Sequence, residues 1–185
     1  IHASAQQWGV PTGPNLVRNP GFEEVDAEGR PVGWSLPQRY ALDDTVARTG
    51  ERSLTWANDD PELYVMCRQP IDLEPGRAYE ISAFVRTEGV TGDDTGATIC
   101  IEWHKPDGSY AAGSYPAGRK GDTPEWTEVR GLTSRLPADA TDPHLLCYVR
   151  RGMVGRAWWD DVSVRVVPQR PLRSLLIAPY RGWIT

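Results

Sequence analysis

The fold is indicated first by Asn15-Leu16-Val17-Arg18-Asn19-Pro20-Gly21-Phe22-Glu23 near the start of the chain and by Trp158-Trp159-Asp160-Asp161-Val162-Ser163-Val164 near its end. Both stretches have the short apolar pattern of a β-strand, and both carry carboxylates at their edges. Hard carboxylate oxygens from two distant strands are the ligands that a calcium ion prefers. The two stretches therefore predict a β-sandwich whose first and last strands meet around a calcium ion.

Between these ends, helical periodicity is almost absent, and short alternating runs are separated by Gly, Pro, Asp and Asn. This pattern is typical of sandwiches and barrels, and connections this short leave no room for crossover helices. We predict eight or nine strands in an all-β fold, a two-sheet antiparallel jelly-roll β-sandwich. The predicted strands are the opening stretch and residues 49–56, 63–73, 79–86, 98–104, 126–132, 145–150 and 157–166.

Composition narrows the function classes. The formal net charge of -5 and the scattered basic residues argue against nucleic-acid binding, and no apolar stretch is long enough to span a membrane. Eight Trp and seven Tyr against two Phe favour partly solvent-exposed aromatic surfaces such as ligand-binding sites, although most of the Trp are expected to fill the core. The three cysteines, Cys67, Cys100 and Cys147, are expected to be buried free thiols, with one interstrand disulfide as the less favoured alternative.

The chain divides into three parts by residue composition and pattern. Residues 1–12 are predicted to be an N-terminal tail, 13–167 the β-sandwich, and 168–185 a linker or the start of a following domain. A C-terminal strand that folds back onto the sandwich is the competing interpretation of the last part. Small residues in 1–6 are spaced like the end of a signal-peptide cleavage site, which favours an extracellular or cell-surface location.

Six motifs in order carry a family resemblance: 15–23, the Thr49-Gly50 turn through Leu54, 69–76, 79–87, 126–129 and 159–162. In this order they resemble the carbohydrate-binding modules of the family 4, 9 and 22 group, which have a galactose-binding-like jelly roll. The resemblance implies a non-catalytic accessory domain of a secreted polysaccharide-active enzyme, with a further domain attached downstream. It also implies a polysaccharide or oligosaccharide as the ligand.

The resemblance further implies a structural calcium ion where the first strand, the turn at 49–50 and the last strand meet. By position, Glu23 offers one carboxylate, Asp160 or Asp161 the second, and the backbone carbonyls near Arg48 and Glu51 fill further positions. If Val162 and Val164 point inward, alternation places Asp160 on their side and Asp161 on the other, so Asp160 is the favoured ligand. The alternative is that Glu23 caps a turn and the Asp pair is solvated.

In this group the ligand lies along the concave face of one sheet, where aromatic platforms and polar side chains meet the sugar. If Leu63, Val65, Ile71 and Leu73 face the core, period-two alternation along four strands exposes a mixed polar and aromatic set. Tyr110 and Tyr115, in the Gly-rich loop 105–121, are positioned to edge the same groove. The three arginines indicate an acidic polysaccharide or balance the nearby acids. The predicted ligand-binding residues are Tyr64, Arg68, Phe84, Arg86, Glu102, His104, Tyr148 and Arg150.

Two other function classes are compatible with this fold. A glycoside hydrolase on the same fold needs two carboxylates about 5 to 9 Å apart across a cleft, and Glu102 is the only strong acidic candidate on the predicted groove strands. Three histidines without a Gly-x-Ser-x-Gly motif argue against a catalytic triad, so no catalytic residue is predicted. A jelly-roll module without sugar binding, acting as a spacer or interdomain docking surface, remains the principal alternative.

Overall fold

A computed structural model describes residues 10–168, and within that range the chain has nine β-strands and no helix. These residues therefore contain no helix that could cross a bilayer. The signal-like residues 1–6 and almost all of the predicted linker 168–185 lie outside the described residues. The strands are β1 Tyr40–Asp43, β2 Ser53–Asn58, β3 Cys67–Pro70, β4 Ala78–Thr91, β5 Thr98–His104, β6 Tyr110–Ser114, β7 Gly121–Leu132, β8 Thr141–Tyr148 and β9 Val154–Val167.

The strands form two sheets in which every neighbouring pair is antiparallel. One sheet has five strands in the order β1-β2-β9-β4-β7, and the other has four in the order β3-β8-β5-β6. The predicted fold class, an antiparallel two-sheet jelly-roll sandwich, is confirmed.

The core lies between the two sheets and follows the predicted alternation. Along β4 the predicted inner residues Tyr79, Ile81, Ala83 and Val85 are at most 3% exposed. Along β5 the same is true of Ile99, Ile101 and Trp103. Burying one aliphatic side chain of this size contributes roughly 1.5–3 kcal/mol, so the inner faces supply most of the stability that holds the sheets together.

The opening stretch is not a regular strand, and that prediction is wrong. Its backbone joins β9 only at intervals, where Thr12 and Leu16 donate to the carbonyls of Val166 and Val164 and Pro20 accepts from Val162. The stretch thus follows the second half of β9, beyond the residues that pair with β2. Positive φ angles at two of its residues bend it away from an extended path. These residues are Asn19, with φ 52°, and Phe22, with φ 61°.

Side-chain contacts hold the opening stretch against the sandwich, where a regular strand would use backbone hydrogen bonds. The Asn15 amide donates to the carbonyl of Val162 at 2.9 Å and accepts from the N–H of Val164 at 3.0 Å. Phe22 is fully buried, with its ring 5.1 Å from that of Trp34. The stretch is therefore fixed by an amide at one end and a core aromatic at the other.

Two strands were missed by the sequence analysis, and one was overextended. Residues 63–73 form a strand only over Cys67–Pro70, and β1 is too short to give a clear pattern. The Gly-rich loop 105–121 contains β6, which pairs with β5 through a tight turn. In that turn the N–H of Lys105 donates to the carbonyl of Ser109 at 2.8 Å, and Asp107 accepts from the N–H of Ser109 at 2.9 Å. The Asp-Gly pair at this turn is the signal that predicts such a hairpin.

Candidate functional site: a tyrosine groove

A groove of about 790 Å³ opens on the outer face of the four-stranded sheet. Its residues come from β5, β6 and β8, from the segment before β3, and from the loops after β4, β6 and β8. Four of them are tyrosines, and three of those are well exposed: Tyr64 at 42%, Tyr110 at 53% and Tyr115 at 43%. The groove residues are Tyr64, Met66, Asp94, Thr95, Glu102, Tyr110, Tyr115, Tyr148, Arg150 and Arg151.

The four tyrosines form one connected array. Tyr148 is only 7% exposed and lies centrally, with its ring centroid 6.4 Å from that of Tyr64 and 5.4 Å from that of Tyr115. The Tyr64 hydroxyl lies 3.3 Å from that of Tyr148, and the Tyr110 and Tyr115 hydroxyls are 2.9 Å apart. Tyr115 also donates to Oε1 of Glu102 at 2.7 Å. These contacts hold several ring faces and hydroxyls in fixed directions around one cavity.

Gly113 allows the Tyr115 ring to lie against β6. A Cβ atom at this position would come within 2.7 to 2.8 Å of the Tyr115 ring and hydroxyl, which is closer than real Cβ contacts. Burial, reinforced by hydrogen bonds with Tyr110 and Glu102, raises the pKa of Tyr115 well above its ordinary value. The phenol therefore remains a hydrogen-bond donor at any physiological pH.

The floor beneath the tyrosines is apolar. Cys100, Leu146 and Tyr148 form a small buried cluster on this outer face, separate from the main core, and Met66 packs against it. An apolar floor, aromatic walls and a few polar groups are the ordinary composition of a small-molecule or sugar site.

The charged groups at the groove are largely paired. Nη1 of Arg150 lies 3.4 Å from Oδ2 of Asp94, and Nη2 of Arg151 lies 2.6 Å from Oε2 of Glu62. Glu102 has the Tyr115 hydroxyl as its partner. Both arginines that line the groove therefore have a carboxylate partner.

The structure brings half of the predicted ligand-binding residues together. Tyr64, Glu102, Tyr148 and Arg150 all line the groove. Arg68, on β3, and His104, at the end of β5, belong to the same sheet, but neither lines the groove.

The prediction that Phe84 and Arg86 share this face is wrong. Both lie on β4, which belongs to the five-stranded sheet. They alternate outward as expected, but period-two alternation distinguishes only inside from outside, and it does not say on which sheet a strand lies.

Two aromatic side chains on the outer face of the five-stranded sheet have arginines stacked against them. The guanidinium of Arg48 lies 3.4 Å from the centroid of the Phe84 ring. The guanidinium groups of Arg86 and Arg156 lie 5.3 and 4.7 Å from the centroid of Trp158, which is 2% exposed. Such cation–π contacts cover the rings of Phe84 and Trp158.

Sequence reasoning missed three polar residues of the groove. Asp94 and Thr95 lie in the loop between β4 and β5, and Arg151 follows β8. None sits in an alternating run, so only the spatial proximity of loops brings them to the groove. The positions of Tyr110 and Tyr115 at its edge agree with the expectation for the Gly-rich segment.

A second polar region surrounds Asp160, the favoured calcium ligand. Asp160 is opposite Phe84 across β4 and β9, whereas Ser163 is opposite Ser82, so β9 carries one extra residue here. This bulge, with Asp161 at φ 49°, reverses the alternation along the strand. Asp160 therefore lies on the side of Phe84, and the expectation that it shares the side of Val162 is wrong.

Asp160 is nevertheless fully buried, because the loop that contains Arg48 and Thr49 covers it. One carboxylate oxygen accepts from the N–H groups of Arg48 at 2.8 Å and Thr49 at 3.1 Å, and the other accepts from the N–H of Asp161 at 2.7 Å. Burial outweighs these bonds and raises the pKa of Asp160 to about 6. Its negative charge is therefore incompletely compensated by the protein.

The other predicted metal ligands fit less well. Oε1 of Glu23 accepts from the N–H groups of Glu51 and Arg52, both at 3.0 Å. Arg48 and Glu51 thus donate their N–H groups to the carboxylates, whereas the prediction required their backbone carbonyls to face the metal. Asp161 is occupied by the guanidinium of Arg48 and by the hydroxyl of Thr49.

Glu23 and Asp160 both lie close to Gly21. A Cβ atom on this glycine would lie 3.5 Å from Oδ1 of Asp160 and 3.8 Å from Cγ of Glu23. The missing side chain leaves space between the two carboxylates, so Glu23 and Asp160 fit a hard cation and Asp161 does not.

No protein-family model and no curated protein sequence matches the chain. Solved structures do match. The CBM22-1 xylan-binding domain of Paenibacillus barcinonensis Xyn10C is 16% identical, with a TM-score of 0.61 over 88% of this chain and 100% of that domain. A family 16 carbohydrate-binding module is 14% identical, with a TM-score of 0.60 over 81% of this chain and 99% of that module.

A third match is the CBM22-1–GH10 structure of Clostridium thermocellum Xyn10B in complex with xylohexaose. It is 17% identical, with a TM-score of 0.59 over 83% of this chain and 28% of that one. At such identities, agreement between structures establishes the arrangement of strands and leaves the ligand open. The chain therefore has the jelly-roll fold of the carbohydrate-binding modules of families 22 and 16.

Proposed function

We propose that this chain is a non-catalytic carbohydrate-binding module that holds a polysaccharide in the tyrosine groove. The observation that carries the proposal is the contrast between the two outer faces. One face presents three exposed tyrosines over an apolar floor, and on the other the rings of Phe84 and Trp158 have arginine side chains stacked against them. Sugar rings have apolar C–H faces that stack on aromatic rings, and hydroxyl rims that bond to groups such as Glu102 and the phenols.

The proposed ligand is a neutral polymer. Arg150 and Arg151 each have a carboxylate partner, and Arg86 lies on the other sheet, so residues 10–168 place no free cationic cluster at the groove to recognise uronic acids. Xylan is the first polymer to test, because the domain of Paenibacillus barcinonensis Xyn10C is described as xylan-binding.

The setting of the module belongs to the same proposal. In the Clostridium thermocellum structure a module of this fold is joined to a GH10 module. By analogy, we place the present chain beside a polysaccharide-active enzyme and outside the cell, which agrees with the signal-like spacing in residues 1–6.

Isothermal titration with xylohexaose, cellohexaose, a mixed-linkage glucan oligosaccharide and oligogalacturonate tests the proposal. We expect binding of at least one neutral ligand and none of the acidic one. Tyr64→Ala and Tyr115→Ala should each weaken binding at least tenfold, since aromatic anchors dominate such interfaces. Phe84→Ala is the matched control, because this aromatic lies on the opposite face and should leave the affinity unchanged.

The outcomes separate the function classes. Binding of no saccharide by a folded protein would favour the spacer or docking role. Release of reducing ends from xylan would indicate a hydrolase, and the groove carboxylates to test are then Glu102 and Asp94, as Glu102→Gln and Asp94→Asn. An unchanged affinity in both tyrosine variants would show that the sugar binds elsewhere.

The proposal includes a structural calcium ion held by Glu23 and Asp160. The incompletely compensated charge of Asp160 and the space at Gly21 support it. An ion bound only by the native state stabilises it, so EDTA should lower the melting temperature and added calcium should restore it. Glu23→Gln should abolish this response, and Asp161→Asn should retain it. An EDTA-insensitive protein that contains no metal by elemental analysis would contradict the calcium assignment.

A further inference from the structure

Three metal-ligating side chains meet at one end of the four-stranded sheet, outside the groove. They are His104 at the end of β5 and Asp142 and His144 on β8. Their ligand atoms all lie within 4.8 Å of one another, and no other such group of three or more His, Cys, Asp or Glu side chains is found in residues 10–168.

A β-bulge brings the three together. On β5 and β8, Glu102 is paired with His144 and His104 is paired with Thr141. Between these two pairs β5 advances by two residues, whereas β8 advances by three. The extra residue on β8 lies beside Asp142, which has a left-handed backbone with φ 50°. In a regular ladder His104 would face Asp142 directly. The bulge instead places the Asp142 carboxylate against both imidazoles.

The distances suit a single small cation. Oδ2 of Asp142 lies 3.6 Å from Nδ1 of His104 and 3.6 Å from Nδ1 of His144. Ligands bound to zinc at about 2.0–2.2 Å in tetrahedral geometry are separated by roughly 3.4 Å. The two imidazole rings are nearly perpendicular, at 86°, with centroids 6.5 Å apart.

His104 has a polar atom that nothing else in the described structure satisfies. Its Nδ1 is shielded from solvent and has no hydrogen-bond partner. A buried nitrogen without a partner costs free energy comparable to a lost hydrogen bond. A metal ion bound to the nitrogen lone pair would remove that cost.

We propose that His104, Asp142 and His144 bind a zinc ion. Two imidazole nitrogens and one carboxylate oxygen favour zinc over calcium or magnesium, which prefer oxygen ligands. Nδ1 of His144 also lies 2.9 Å from the carbonyl oxygen of Asp142, and it gives up this contact and its proton when it ligates the metal, while Nε2 carries the ring proton. The Asp142 side chain is 64% exposed, so water can take the fourth position.

Native mass spectrometry and titration calorimetry with zinc chloride at pH 7.5 test the site. We expect one zinc ion per wild-type chain. His104→Ala, His144→Ala and Asp142→Asn should each weaken binding at least tenfold. The chain has three histidines, so His2→Ala is the matched control and should bind zinc like the wild type.

Two further measurements keep the interpretation unambiguous. Glu23→Gln should retain zinc binding, which separates this site from the proposed calcium site. Cobalt(II) bound to the wild type should give the visible absorption of a tetrahedral N/O site, and His144→Gln should lose it while keeping its melting temperature. A wild-type protein without bound zinc at 100-fold excess, or a zinc affinity of His104→Ala and His144→Ala equal to that of the wild type, would overturn the proposal.

Discussion

The sharpest stability prediction concerns Asp43, because its carboxylate holds Trp158 and the turn at Thr45 in place on the five-stranded sheet. Oδ1 accepts from the hydroxyl of Thr45 at 2.6 Å and from its N–H at 2.9 Å, while Oδ2 accepts from the indole of Trp158 at 2.9 Å. Burial raises the pKa of Asp43, but these bonds and the N–H of Val46 outweigh it and lower the pKa from 3.8 to about 2.

The magnitude follows from that shift. A depression of about 1.8 units corresponds to about 2.5 kcal/mol of native-state stability. Since the folded pKa is the lower one, this contribution is fully present above the unfolded pKa near 4 and is lost as the pH falls toward 2. At pH 3 about half of it should be gone, because the unfolded chain is by then mostly protonated at this group and the folded chain is not.

Urea unfolding followed by tryptophan fluorescence measures the effect. Asp43→Asn should lower the free energy of unfolding by about 2–3 kcal/mol at pH 7 and by clearly less at pH 3. Asp44→Asn, at the exposed neighbouring position, should change it by less than about 0.5 kcal/mol at either pH. A loss below about 1 kcal/mol at pH 7, or a loss that does not shrink at pH 3, would refute the reasoning.

Three more outcomes are expected. Gly113→Ala should displace the Tyr115 ring and weaken sugar binding at least tenfold with little change in melting temperature, and a calorimetric titration showing wild-type affinity would count against the groove. Gly50→Ala should cost roughly 2 kcal/mol or more in urea unfolding, because φ is 67° and the new Cβ would lie 2.2 Å from Oε1 of Glu23. Gly29→Ala, with φ 76° and no atom within 4 Å, should cost clearly less. Burial raises the pKa of all three thiols, so a thiol reagent should find none reactive in the native protein and three in guanidinium; one reactive thiol in guanidinium would reveal a disulfide.

The alternation of apolar and polar residues predicted the core correctly, because it identifies which side chains of each strand face inward. Ile81, Val85 and Ile101 face inward as expected, since inward and outward side chains alternate along their strands. The same pattern correctly turned Phe84 outward. It did not place Phe84 on the correct sheet, because strand order depends on pairings between residues far apart in sequence.

The failures near the candidate sites have local causes. One extra residue in β9 reversed the side of Asp160, and one in β8 brought Asp142 against His104. A bulge changes the register of a strand without changing its hydrophobic pattern, so the sequence does not reveal it. The tyrosine groove was half predicted, because Tyr64 and Tyr148 alternate while its loop residues, such as Asp94, do not.

The path of the opening stretch has a mechanical consequence. It runs antiparallel to the last part of β9, so the two ends of the described chain leave the sandwich side by side. A force that pulls these ends apart loads the contacts from Thr12 to Val166 and from Leu16 to Val164 in succession, as when a zipper opens. Each hydrogen bond contributes only about 1 kcal/mol, so peeling should begin at low tension and stall where Phe22 is anchored in the core.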